Sequence, residues 1–154
     1  MVGIGMRRSG VRILRNASGE AERYGQGAAA MSDGHMDAVV RRIAAAYPSV
    51  FSPDSGCWHD CPPGWEALVM ELCSRLAAEH PTAHCVQCKR KFAALRFYLN
   101  EDASQQAVAL AREYEVRSAR TCERCGQSAA ELRRRDGWLA TLCAEHESET
   151  LDGA

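Results

Sequence analysis

What the sequence lacks narrows its class first. No apolar run approaches the roughly 20 residues needed to cross a bilayer. Arg7, Arg8, Arg12 and Arg15 interrupt every apolar stretch near the start, so no secretory signal is expected. Strong charge is missing as well. The net charge is −1, and residues 1–35, 36–80, 81–118 and 119–154 carry +2, −3, +2 and −2. No segment has the positive excess that marks a nucleic-acid binder by its field alone. Catalytic signatures are also absent: there is no Gly-rich phosphate loop, no nucleophile elbow and no His-Glu-x-x-His pair. A zinc deaminase needs His-x-Glu upstream of Pro-Cys-x-x-Cys, and no Pro precedes Cys85 or Cys122. A ββα-metal nuclease would add a His beside a carboxylate in a strand, and none is placed so. The expectation is a non-catalytic protein.

Cysteine is what the chain has in quantity, with eight in 154 residues. Without a signal segment, that number points to a reducing cytoplasm, where paired Cys mean metal more often than disulfide. The spacing says which. Cys122-Glu123-Arg124-Cys125 is followed by Gly126, then by Leu142-Cys143-Ala144-Glu145-His146. Two short knuckles facing each other across a hairpin are how four ligands reach one tetrahedral ion. Gly126 stands where such a turn needs positive φ. The expected ligands are Cys122, Cys125, Cys143 and His146, holding one structural zinc ion. Four protein ligands close the coordination sphere, which excludes a catalytic role for the ion. A segment of this size cannot bury enough apolar surface to order itself, so the metal should contribute folding energy directly. Trp138 is the expected packing anchor of this ribbon, against Leu139, Leu142 and the third helix.

The rest of the chain reads as α+β, with three helices around a short β-hairpin. Residues 1–35, rich in Gly, Ala, Ser and Arg, are expected to be a disordered, dispensable leader. Met36, Val39, Val40, Ile43, Ala44 and Tyr47 form a helical stripe, capped by Ser32 or Asp33 and stopped by Pro48. Trp65, Leu68, Val69, Leu72, Cys73 and Leu76 form a second, opened by Pro63-Gly64 and closed by Pro81. Alternation over 86–92 and 95–99 predicts two strands joined near Ala93-Ala94. A third helix ends near Ser118, with Asn100, Glu101 and Asp102 offering caps. The organisation expected is an α+β core over 36–118, a zinc ribbon over 119–147 and a frayed tail over 148–154.

Two further clusters bear on binding. Cys57, His59 and Cys61 could hold a second ion with Cys85 and Cys88 as partners. Strand alternation counts against it, since residues three apart face opposite sides. Lys89, Arg90, Lys91 and Arg96 make a basic strand among Phe92, Phe97 and Tyr98. Such a face grips single-stranded nucleic acid by stacking and phosphate contact. The plainer reading buries Phe92, Leu95 and Phe97 and solvates the cations, with Tyr98 pointing outwards. Arg133, Arg134 and Arg135, at the ribbon tip, can meet phosphates or an acidic protein surface.

The order of these features resembles a group of small, mostly uncharacterised proteins of bacteria and their phages. The matching residues are Tyr47-Pro48, Cys57-Trp58, Cys61, Gly64-Trp65, Leu72-Cys73, Lys89-Arg90-Lys91-Phe92, Leu95-Arg96-Phe97-Tyr98, Cys122, Cys125-Gly126, Gly137-Trp138 and Leu142-Cys143 with His146, over roughly residues 38–147. Where that group carries glycines at the strand turn this chain has Ala93-Ala94, which argues against a tight turn. Cys85 and Cys88 stand where the group is usually aliphatic. The resemblance implies the fold, the zinc and a bacterial or phage origin, hence the bacterial or host cytoplasm. The function expected is binding to a protein partner, with a phage product that modulates a host enzyme as one form. The alternative is nucleic-acid binding through Arg133, Arg134 and Arg135 with Lys89, Lys91 and Tyr98. No membrane role is expected.

Overall fold

The computed structural model describes residues 13–15, 21–23, 36–51, 57–135 and 137–148. Its elements run β1 (Ile13–Arg15), β2 (Ala21–Arg23), α1 (Ala38–Ala46), α2 (Glu66–Glu79), β3 (Cys85–Lys91), β4 (Ala94–Leu99), α3 (Gln105–Ser118), β5 (Glu131–Arg135) and β6 (Trp138–Leu142). The first four strands make one antiparallel sheet in the order β2-β1-β4-β3, and β5 and β6 form a separate hairpin. The protein is α+β, with three α-helices among the described residues, as its periodicities predict. The leader needs a correction: β1 and β2 pair with each other, and Arg15 pairs with Leu99 of β4. These residues are strand rather than disordered chain. The other residues of 1–35, and 149–154, lie outside the described residues.

Helix ends differ from expectation for local reasons. Asp37, directly before α1, is the N-cap, and its Oδ1 accepts from the Val40 amide at 2.8 Å. Its Oδ2 accepts from the Cys61 amide at 2.7 Å, so the cap also pins the Cys-rich loop. A 3-10 turn over Pro63–Trp65 leads into α2, which buries Leu68, Val69, Leu72, Cys73 and Leu76. Ser104 rather than the Asn100–Asp102 segment caps α3, accepting from Ala107 at 3.1 Å. None of the described helices is long and apolar enough to cross a membrane.

α3 also finishes the sheet. The edge of β4 beyond its single pair with β1 is met by side chains. Ser118 Oγ accepts from the Leu95 amide at 2.8 Å, and the buried Glu115 carboxylate accepts from the Phe97 amide at 3.1 Å. Backbone donors inside a fold need partners, and here helix side chains supply them. Between helices, Glu71 of α2 accepts from Tyr114 at 2.8 Å and takes Arg117 through both oxygens at 3.0 Å. The main core gathers Ile43, Trp65, Leu72, Leu76, Leu95 and Phe97, all fully buried.

The β3–β4 hairpin departs from simple alternation twice. Cys85 pairs with Leu99 but Gln87 pairs with Tyr98, so one extra residue sits in β3 as a bulge. At the far end the turn is tight despite the missing glycines. Phe92 and Ala93 both take left-handed backbone, at φ 52° and 60°. Two-residue hairpin turns demand that geometry and normally use Asn-Gly. Ala93 is buried, but Phe92 is 71% exposed, against the expectation that it belongs to the buried face.

Candidate metal centre

Cys122, Cys125, Cys143 and His146 converge. Among the described residues they are the one group of three or more such side chains whose donor atoms all lie within 4.8 Å of one another. Cys125 Sγ lies 3.7 Å from Cys143 Sγ, and His146 Nδ1 lies 3.8 Å from Cys122 Sγ and 3.1 Å from Cys143 Sγ. Local backbone explains the convergence. The Cys122 amide donates to Gln127 O and the Gly126 amide to Cys122 O, both at 2.9 Å, which curls the first knuckle. Gly126 supplies the required φ of +78°. In the second knuckle the His146 amide donates to Cys143 O at 3.0 Å. The hydrogen-bonded His146 imidazole draws the Cys143 thiol down to about 7, with burial opposing it. A thiol held there gives up its proton readily to a metal. Three thiolates and an imidazole fill a tetrahedron, so the cluster can bind a metal ion and leaves no open position.

Glu123, inside the first knuckle, ties the centre to the rest of the fold. Its Oε1 accepts from the Thr141 amide at 2.9 Å, and its Oε2 pairs with Arg90 of β3 at 2.6 Å. Arg90 also donates through Nη2 to Leu139 O, and Thr141 Oγ1 donates to Ala93 O at 2.9 Å. From the helical side, the Gly64 amide donates to Glu123 O at 2.8 Å and Trp65 Nε1 donates to Thr121 O at 2.8 Å. Gly64 crosses the knuckle backbone to backbone. A Cβ there would sit inside the Cys122 carbonyl oxygen and 2.7 Å from the Gly126 nitrogen. Trp65, not Trp138, is therefore the tryptophan that anchors the ribbon. Trp138 is 55% exposed at the hairpin end. Sequence reading missed Glu123, Arg90, Gly64 and Trp65 as parts of this site; only an acid between two metal-spaced Cys hinted at the first.

The other site candidates fare differently. Arg133 is drawn back to Glu131 at 3.1 Å and to Glu147 at 2.9 Å, so it is not a free cation at the tip. Arg134 is exposed, and Arg135 ends β5 opposite Trp138. Tyr98 is fully buried rather than outward, packed with Val86 and Cys57, with the Lys89 ammonium 5.2 Å from its ring centre. The pairing of Gln87 with Tyr98 beyond the bulge puts that ring on the sheet's second, covered face. Lys89 and Lys91 are half-buried, and Lys91 Nζ lies 5.8 Å from the centre of the Phe92 ring.

Cys57, His59 and Cys61 do not converge as a second metal site. Cys57 packs beside Val86 and Tyr98, while Cys61 belongs to the main core. His59 Nδ1 accepts from the Cys88 amide at 3.1 Å, and its ring stands edge-on to Phe51. Burial lowers this imidazole to about 4, with Asp37 opposing, so His59 is a neutral core group. No family model, curated protein or solved structure matches the chain.

Proposed function

We propose that the chain is a non-catalytic, zinc-clamped binding module that engages a protein partner through the β3–β4 turn and the ribbon face beside it. The metal part rests on the donor set. Zinc bonded at about 2.3 Å to sulfur and 2.0 Å to nitrogen puts two sulfurs roughly 3.8 Å apart and a sulfur and a nitrogen roughly 3.5 Å apart; the 3.7 Å sulfur–sulfur separation matches its edge, and the 3.1 and 3.8 Å sulfur–nitrogen separations lie on either side of theirs. The ion has a closed shell and a structural role. It holds the ribbon on Gly64, Trp65 and Arg90, with Thr141 joining the ribbon to the β3–β4 turn.

The partner part rests on Phe92. A bulky residue in left-handed backbone costs about 1–2 kcal/mol, and an aromatic ring 71% in water adds a solvation cost. Asn or Gly would remove both. A side chain retained at that cost is a contact residue. Leu132, 59% exposed, lies opposite Thr141 and so on the hairpin face that meets the Phe92–Ala93 turn. An apolar tip of this kind suits a protein surface.

Nucleic acid is the second reading, favoured by the Lys91 ammonium near the Phe92 ring and by exposed Arg134. The pairing of Arg133 with two glutamates and a net charge of −1 weigh against it. Anisotropy titration of single- and double-stranded oligonucleotides at two salt concentrations decides between the classes. The protein reading predicts no specific association at low salt. Binding that weakens with salt and drops in Phe92→Asn would transfer the same tip to nucleic acid.

A further inference from the structure

The ribbon hairpin leaves one strand edge open, and its bonding pattern shows which groups lie there. In an antiparallel pair, opposite residues alternate between exchanging main-chain hydrogen bonds and turning those groups outwards. Thr141 turns outwards: its amide donates to Glu123 Oε1 and its carbonyl accepts from the Glu123 amide, both at 2.9 Å. Leu139 O, two residues back, is taken by Arg90. Their partners on β5, Leu132 and Arg134, therefore turn their own amides and carbonyls away from β6. At the head of that edge the Ala130 amide donates to Arg120 O at 3.0 Å, in step with the same alternation. Beyond it, among the described residues, the outward main-chain groups of Leu132 and Arg134 have no hydrogen-bond partner. Two donors and two acceptors thus line an edge of unbroken register with no proline in it.

Resting on the protein-binding reading, we infer that β5 takes an extended, acidic segment of the partner as a third, antiparallel strand. The incoming residues opposite Arg134 and Leu132 exchange both main-chain bonds with them, and their side chains share that pair's face. Side-chain chemistry then selects the segment. Arg134 is exposed and Leu132 is 59% exposed. An acid therefore suits the place opposite Arg134, and an apolar residue two further along the segment suits the place opposite Leu132. Arg120, at the head of the edge, is exposed as well, and neither it nor Arg134 has an ion pair among the described residues. Glu131, the one acid on β5, is bound to Arg133 at 3.1 Å. A second copy of the chain is the poorer occupant. Centred antiparallel pairing of two β5 strands sets Arg133 opposite Arg133, and like charges directly opposite are destabilising. The arginines that keep copies apart attract an acidic strand.

Anisotropy titration of the zinc-loaded full chain with a fluorescein-labelled peptide, Ser-Thr-Glu-Thr-Val-Thr-Ser, tests this. N-methylation of its Glu and Val removes the amides that donate to Arg134 O and Leu132 O, and should weaken binding about tenfold. N-methylation of the Thr after each, whose amides face away from β5, should change affinity little. Lys in place of the Glu should also weaken binding about tenfold, and Arg134→Glu should reverse that preference. No binding of the parent peptide, equal binding of the two methylated forms, or an unmoved preference in Arg134→Glu would each overturn strand addition. So would a concentration-dependent dimer that excludes the peptide, which assigns the edge to a second copy. Failure of the protein-binding reading looks different: salt-sensitive oligonucleotide binding that drops in Phe92→Asn, a result that failed strand addition alone would not produce.

Discussion

Two groups of cysteines in one chain of 154 residues show what makes a thiol a metal ligand. In the ribbon, turns bring the donors of Cys122, Cys125, Cys143 and His146 within 4.8 Å of one another, with two sulfurs 3.7 Å apart, and an imidazole hydrogen bond brings Cys143 down to about 7. In the core, strand and helix set the sulfurs; burial pushes Cys73 and Cys85 upwards, and the neighbouring Cys61 together with burial does the same to Cys88. Cys143 is poised to lose its proton, and the raised core thiols are held neutral. Geometry and proton affinity change together, because a tight turn near the surface leaves donors facing one another while a close-packed interior surrounds each with apolar atoms. The same residue type is thus a ligand in one region and a small hydrophobe in the other.

Removing the metal should break the comparison most severely. Structural zinc is worth on the order of 10 kcal/mol in small isolated domains, so chelation should abolish hydrogen-exchange protection across 121–147. The Leu95 and Phe97 amides, bonded to α3, should stay protected. Loss of protection in both regions would show that the core cannot stand without the ribbon.

Acid should act on the core through His59. Its imidazole lies at about 4 when folded against an ordinary 6.5. The unfolded chain therefore binds the extra proton between those values, and stability falls as pH drops through that window. The loss is about 3 kcal/mol, complete below the folded value. Ring-proton shifts of His59 followed by NMR should titrate near 4. A midpoint near 6.5 would contradict its burial as a neutral acceptor.

Gly64→Ala should strike the joint between the regions. Its Cβ meets the knuckle backbone, which cannot swing aside as a side chain would. A loss of about 2 kcal/mol is expected, seen as a lower melting temperature with weaker zinc retention against a chelator. Unchanged retention would mean that the ribbon does not depend on this contact. The smallest effect should come from Phe92→Asn. Relief of the left-handed strain should raise stability by about 1 kcal/mol, while partner binding falls. A drop in melting temperature would show that Phe92 packs on the protein itself.

Legibility followed the range of the interactions. The stripe of Val39, Val40 and Ile43, and the knuckle spacing from Cys122 to His146, are local patterns, and both appear where the sequence placed them. The caps lie a few residues on from Ser32, Asp33 and Asn100–Asp102, because Asp37 and Ser104 sit directly before the first turn. What escaped was set across the fold. The bulge that turns Cys85 inward depends on pairing with β4. The exchange of Trp138 for Trp65 as anchor depends on where Gly64 crosses the knuckle. Tyr98 is buried and Phe92 exposed, each the reverse of what alternation predicts. Alternation says which residues share a face, but not which face is covered or where a tight turn releases the chain.

The claim that one metal ion clamps the ribbon is tested most directly by the zinc content of protein purified without added metal. Elemental analysis should find one zinc per chain, lost in Cys125→Ser. Less than half an equivalent in the wild type, or unchanged zinc in the variant, would contradict the assignment.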